Sequence, residues 1–210
     1  MKIQTKLWND ITWKRLCEYY EEGMRDILLS SGSLISISLK DGQEIELEAC
    51  RDKKGELFFV FKNCIKYRVR MNDYRSKNEE GYEGSIGRLA AYRAFSLLPD
   101  DLQGIIVPTK IVQIHRGKRH EMTDNLFVLS ATQVFGEKPW RKLNEPEDTQ
   151  FDIFQRDTDR IKCIKNDAVR WWLRSSPDGN QFSVVDRHGK GSSDFSTKGN
   201  GLVLGFRTIL

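Results

Sequence analysis

The sequence predicts an α+β domain: short, mostly antiparallel strands, two main helices and long loops. Three observations carry this. A sharp hairpin pattern stands near the start, short apolar runs recur near the end, and two helical stripes lie at residues 9–29 and 86–97. The length of 210 residues suits one domain plus a small appendage, divided at 32/33, and a chain of this size can bury a true core.

The first helix takes Asn9 or Asp10 as its cap. Trp13, Leu16, Cys17, Tyr20, Met24, Ile27 and Leu28 then form one apolar stripe, and Ser30-Ser31-Gly32-Ser33 stops it. Residues 1–32 are therefore expected as an amphipathic helix that docks on the domain or attaches it to another subunit.

The run Leu34-Ile35-Ser36-Ile37-Ser38-Leu39 alternates, Lys40-Asp41-Gly42-Gln43 turns, and Glu44-Ile45-Glu46-Leu47-Glu48 alternates again, a hairpin. Leu57-Phe58-Phe59-Val60-Phe61 reads as a more buried strand. Ser85 caps a helix through Ile86, Leu89, Ala90, Tyr92, Arg93, Phe95 and Leu97, which Pro99 ends. A turn of helix follows at 100–106 and a strand at 107–114, with Pro108 fitting an edge or a strand start. Short strands are expected at 126–130, 169–175, 182–186 and 202–207. Residues 115–120, 136–150 and 189–200 read as polar loops.

Composition narrows the function. The formal charge of +4 is spread over 64 interspersed charges, and the densest basic stretch, residues 115–120, carries no aromatic residue. Nucleic acid is not an expected partner. No apolar run reaches the roughly 18–20 residues of a membrane span, and the start lacks the apolar region of a secretory signal. Cys17, Cys50, Cys64 and Cys163 form no metal or redox motif and read as small buried thiols. His115, His120 and His188 are scattered, and no phosphate loop, nucleophile elbow or zinc motif occurs. The carboxylates Glu145, Glu147 and Asp148 read as a solvated loop rather than a calcium site. No metal and no cofactor are expected, and an enzyme is disfavoured.

Several segments resemble one family in order. Trp171-Trp172-Leu173-Arg174-Ser175-Ser176-Pro177 resembles the W-W-L-R-S-P segment of a large uncharacterised family encoded mainly by phages, prophages and gut Firmicutes. Met71-Asn72-Asp73, residues 81–89, residues 95–103, Thr123-Asp124-Asn125-Leu126-Phe127-Val128-Leu129-Ser130 and Val134-Phe135-Gly136 resemble its further motifs. Gly205-Phe206-Arg207 resembles the closing G-F-R of folds related to the formylglycine-generating enzyme.

The resemblance implies a C-type-lectin-like domain over residues 33–210. It also implies kinship with the variable proteins of diversity-generating retroelements, which display a ligand-binding surface between the W-W-L-R-S motif and the chain end. Here that segment is residues 176–204, with its loops at residues 176–200. Its polar residues Asp178, Asn180, Asp186, Arg187, His188, Ser193, Asp194 and Asn200 are the expected ligand-binding set. Trp171, Trp172, Leu173, Arg174, Ser175, Gly205, Phe206 and Arg207 are expected as scaffold. Trp171 and Trp172 point to opposite faces of a strand, one into the core and the other over the loops. Arg174 is expected to tie loop carbonyls or a carboxylate through its planar fork, and Arg207 to do the same at the chain end.

The comparison also excludes two activities. Asn144-Glu145-Pro146 is not the sugar-binding E-P-N of calcium lectins, and Trp8-Asn9-Asp10 stands at the wrong end for their W-N-D. Only Cys163 is late in the chain, so the cysteine pair of the formylglycine-generating enzyme is lacking.

The expected function is a non-enzymatic receptor-recognition module of phage or prophage type, in a virion or in host cytoplasm before assembly. Its partner would be a cell-surface protein or glycan, or a neighbouring virion subunit, with a homo-oligomer through the N-terminal helix as a further expectation. A purely structural tail component is the alternative, and a hydrolase whose site shows only in space is the third reading.

Overall fold

The computed structural model describes residues 12–22, 29–73, 80–136, 145–177 and 179–210. It is a mixed α+β fold in which nearly every strand pair is antiparallel. No helix among the described residues is long and apolar enough to cross a membrane.

Helix α1 spans Trp13–Glu21. The expected cap at Asn9 or Asp10, and the stripe positions Met24, Ile27 and Leu28, lie outside the described residues. Trp13 and Leu16 are buried, and the Trp13 ring meets Phe59 edge-on at 5.5 Å. That part of the stripe therefore packs against the domain.

Strands β1 (Leu34–Ser38), β2 (Glu44–Arg51) and β3 (Leu57–Phe61) form an antiparallel meander. Gly42 supplies the positive φ of +80° that the first turn needs. All five residues of β3 are buried, because the sheet is covered on both faces.

Helix α2 (Ile86–Leu97) begins at Ser85, whose hydroxyl accepts from the Arg88 amide at 3.0 Å. The short α3 follows at Asp100–Gln103. The strand expected at 107–114 is two strands. Pro108 interrupts it, so β4 (Ile106–Val107) and β5 (Thr109–His115) join different sheets.

Residues 115–120 correct the expectation of a solvated loop. They form the end of a hairpin between β5 and β6 (Lys118–Asp124). The turn is Arg116-Gly117, with φ of 51° and 76°, the two left-handed residues of a type I′ turn. Strand β7 (Phe127–Val128) leads to Ser130, which opens the unforeseen helix α4 (Ala131–Phe135) with a Ser130–Gln133 capping box.

A 3-10 turn at Asp157–Arg160 precedes β8 (Lys162–Ile164), β9 (Asp167–Val169) and β10 (Trp171–Trp172). The polar segment 189–200 also departs from expectation. Residues Gly191–Phe195 form strand β12, paired in register with β11 (Gln181–Val185). Strands β13 (Gly201–Leu202) and β14 (Leu204–Thr208) close the chain.

One sheet runs in the order β1-β2-β3-β14-β4, with β7 also on β14, and the second runs β12-β11-β10-β13. The last strand thus returns beside β3, near the middle of the first sheet. Phe206 stacks on Phe59 at 5.4 Å there. The pair β10 and β13 is parallel.

Candidate functional site

Helix α2 is packed inside out with respect to size. Its buried positions are Gly87, Ala90, Ala91 and Ala94, spaced i, i+3, i+4 and i+7. Three of its large apolar residues face water, Ile86 at 38% exposed, Leu89 at 48% and Tyr92 at 74%, whereas Phe95 and Leu97 are half-buried against the core. Small side chains let the helix backbone lie close to its neighbours, down to a buried Met71 whose sulfur would stand 2.4 Å from a Cβ at position 87. The larger groups are left as an outward ridge.

The neighbourhood fixes this helix firmly. The Ile86 amide donates to the Met71 carbonyl at 2.8 Å, and the Lys40 amide donates to Leu97 at the other end. Arg88 makes a forked contact with Asp124 on β6, with Nε and Nη2 donating to Oδ1 at 2.9 and 2.7 Å. Just before the helix, fully buried Tyr82 accepts from the Val128 amide through its hydroxyl, and burial pushes that phenol well above its usual range. Its own amide donates to Gln113 Oε1, and Gln113 Nε2 donates to the Arg174 carbonyl. The helix start, the β5–β6 hairpin and the segment after β10 are thereby locked together.

Two open grooves flank the ridge. The larger, about 690 Å³, lies between α2 and the β6–β7 connection, with Leu89, Tyr92, Phe95, Pro108 and Leu126 on its walls and the Arg88–Asp124 pair lining it. The smaller, about 330 Å³, lies on the other flank, between α2 and residues 67–70. Tyr67, Arg68, Arg70 and Arg93 line it, and Ile86 and Leu89 are shared by both. Six large apolar residues are exposed among the described residues, and four of them, Tyr67, Ile86, Leu89 and Tyr92, border these grooves. They form one cluster rather than scattered surface hydrophobes.

At one end of the larger groove, Glu83 bonds His120 Nδ1 at 2.8 Å, and the His115 ring lies 6.3 Å from that of His120. His120 Nε2 is buried with no protein partner. Among the described residues, no group of three His, Cys, Asp or Glu side chains is placed to hold a metal.

The expected ligand-binding residues divide between two places. Asp186, Arg187 and His188 form the tip of the β11–β12 hairpin, where Asp186 Oδ1 accepts from the His188 and Lys190 amides in a tight turn. Arg187 and His188 are exposed there. The others are engaged within the fold. Asp194 accepts from Asn200 Nδ2 at 3.1 Å and from Arg170 at 3.5 Å, and Ser193 donates to Gln181 Oε1 at 2.6 Å. Asn200 is buried and bridges Val69, and the Asn180 carbonyl accepts from the Ser196 amide. Asp178 lies outside the described residues.

The scaffold residues Trp171, Trp172, Leu173, Arg174 and Ser175 are all fully buried. The two indoles donate to the Arg160 and Val69 carbonyls at 2.9 and 2.7 Å. Trp172 reaches loop backbone, yet it is as buried as Trp171. Arg174 donates to the Val128 carbonyl, to Gln133 Oε1 and to Asp148. Gly205 and Phe206 are buried, and the half-buried Arg207 donates to Glu56 across the sheet.

The acidic cluster is solvated only in part: Glu147 is exposed, whereas Glu145 and Asp148 are drawn into the fold. Glu145 is buried near Arg174, and burial pushes its carboxyl up to about 7. Glu147 pairs with Arg119 and Asp148 with Arg174. Of the four thiols, Cys50 and Cys64 are buried, whereas Cys17 and Cys163 are half-buried. Burial raises the Cys64 thiol to about 12, which leaves it unreactive at neutral pH.

Residues 55–206 match a family model described as a domain of unknown function, DUF6273. The chain belongs to the DUF6273 family. No curated protein and no solved structure matches it. The DUF6273 segment contains helix α2, both grooves and the Trp171–Ser175 core.

Sequence reading passed over Ile86, Leu89 and Tyr92 as a candidate set, together with Tyr67, Arg68 and Arg93. The available signal was the stripe Gly87, Ala90, Ala91 and Ala94 at helical spacing. It marks a close-packed inner face and so assigns the large residues to the outside.

Proposed function

We propose that this DUF6273 protein is a non-enzymatic recognition module on a C-type-lectin-like scaffold of phage or prophage type. It binds a protein partner, either a cell-surface receptor or a neighbouring virion subunit, through the α2 ridge. The single observation that carries this is the outward set Ile86, Leu89 and Tyr92 on a helix held rigid from both ends. Rigid apolar and aromatic anchors on a fixed helix lose little entropy on binding, and they form the centres of protein interfaces. The broad apolar surface suits a protein better than a glycan, which needs converging polar groups.

The lectin-like reading is supported by the return of β14 beside β3, by the small second sheet around Trp171 and Trp172, and by the long connections between them. The exposed hairpin tip at Arg187 and His188 is retained as a secondary contact.

The test uses fluorescently labelled full-length protein on a panel of Gram-positive and Gram-negative cells and on phage particles. Saturable binding should be lost in Leu89→Asp and after protease treatment of the target. It should persist in a variant carrying Arg187→Ala and His188→Ala. Loss in the hairpin variant with retention in Leu89→Asp would overturn the assignment to α2.

A further inference from the structure

The second sheet ends on β12, and the hydrogen bonds of β11 show which groups of that edge strand face outward. The Ser183 amide donates to the Ser175 carbonyl, and the Ser183 carbonyl accepts from the Leu173 amide, so both point away from β12. Ser183 and Ser193 are therefore a non-hydrogen-bonded pair, and Phe182–Asp194 and Val184–Ser192 are the bonded ones. The bonds beyond both ends agree: Asp186 donates to Lys190, and Ser196 to Asn180. The main-chain groups of Gly191, Ser193 and Phe195 thus point out of the sheet. Phe195 is matched locally, its amide donating to Asp194 Oδ1 and its carbonyl accepting from Lys198. The amides and carbonyls of Gly191 and Ser193 have no backbone partner among the described residues. The rim of this edge is cationic. Arg187 and Lys190 stand at the hairpin tip and Lys198 just past Phe195, all exposed and none in an ion pair among the described residues. The carboxylates beside them are already held: Asp186 by two amides, Asp194 by Asn200 and Arg170, and Asp157, whose carbonyl lies against Gly189, by Arg160. Phe195, 55% exposed, shares the face of Ser193.

We infer that β12 takes an extended, acidic segment of a partner protein as an added strand, its main chain paired with Gly191 and Ser193 and its carboxylates on Arg187, Lys190 and Lys198. An open edge offers alternating donors and acceptors, which another extended main chain matches group for group. The three cations set the charge of that chain. A second copy of β12 would bring the same cations against themselves, so pairing between copies of this protein is disfavoured. A nucleic-acid strand would answer the cations and stack on Phe195, but its phosphates only accept hydrogen bonds and leave the two outward carbonyls unmatched. The site is separate from the α2 ridge and stands without it. A helical ligand bonds its main-chain groups internally, so ridge and edge take different ligands.

The test is fluorescence anisotropy of full-length protein with four labelled probes. The first is the capped octapeptide Glu-Glu-Val-Thr-Val-Thr-Glu-Glu. The second carries Lys for every Glu, the third is the first with its four central amides N-methylated, and the fourth is a thymidine 12-mer. The first should bind at least about tenfold more tightly than each of the others, and added salt should weaken it. Arg187→Ala, Lys190→Ala and Lys198→Ala together should weaken it about tenfold, and Leu89→Asp should leave it unchanged. The three cations are exposed, so the triple variant keeps the fold, which its thermal melt checks. Amide hydrogen exchange at Gly191 and Ser193 should slow when the first peptide binds. Equal binding of the N-methylated peptide, or unchanged exchange at both amides, would overturn the strand pairing. Equal binding of the Lys peptide would overturn the charge assignment, and tighter binding of the thymidine 12-mer the partner class. Loss of binding in Leu89→Asp would move the site to the ridge, and no peptide binding at all would overturn the inference while leaving the ridge untouched.

Discussion

Arg174 shows how the core handles charge. It is fully buried, and its fork bonds one carbonyl, one amide oxygen and one carboxylate. Removing one partner of such a buried pair leaves the other uncompensated and costs about 3–5 kcal/mol. Arg174→Met should therefore lower the urea midpoint by that equivalent, and an unchanged midpoint would contradict the role. Glu145 beside it makes a pH prediction. Its ordinary value is 4.5, and burial, opposed by Arg174 and reinforced by Asp148, raises it to about 7 in the fold. The folded state thus favours the protonated acid. The stability this contributes is complete below about pH 4.5 and is lost as pH rises through about 7, roughly 3 kcal/mol in all. Glu145→Gln should flatten that slope when stability is measured by urea titration from pH 5 to 8. An unchanged slope would place the titration elsewhere.

Among the elements, α2 separates a packed inner face from an exposed ridge, the proposed recognition surface. Tyr92→Ala removes exposed surface and should change stability by no more than about 0.5 kcal/mol. Ala91→Leu forces extra volume into a fully buried position and should cost about 1–3 kcal/mol or more. Thermal melts of the two variants decide it, and a larger loss in Tyr92→Ala would mean that the ridge is part of the core. The limits of sequence reading show here as well. The helix was legible from Ser85 to Leu97 because cap, periodicity and Pro99 agree. Its orientation was missed because apolar residues occur on both sides, and burial follows size only when neighbours leave room. Strand β12 was missed because its residues are polar: an edge strand left half-exposed needs no apolar alternation. The β5–β6 hairpin was missed because its turn, Arg116-Gly117, lacks the usual Asn or Asp, and its charges suggested solvent. Glu145 was misread because nothing in an acidic run shows that a buried arginine lies nearby in space.

On the scale of the whole molecule, the family segment is not the whole folding unit. Strands β1 and β2 precede residue 55, and Leu47–Arg51 of β2 pair with all five residues of β3. A fragment of residues 55–206 would expose the β3 edge, with Phe58, Phe59 and Val60, to water and to other chains. It should aggregate or unfold where the full chain gives a cooperative transition, as read by size exclusion and circular dichroism. A monodisperse, cooperatively folding fragment would contradict this. The fold class and most strands of this larger unit could be read from alternation and turn residues. The proposed interaction surface could not, because it joins residues 67–70, 86–95 and 123–126, which only the tertiary fold brings together.

The most direct test of the central claim is an NMR titration of methyl-labelled, full-length protein with a 14-residue amphipathic peptide of Leu and Glu at helical spacing. The account predicts saturable shifts at the Ile86 and Leu89 methyls, with little change at Val184 and Val185 within the β11–β12 hairpin. Shifts confined to that hairpin, with Ile86 and Leu89 unmoved, would contradict it and return the binding surface to the C-terminal loops.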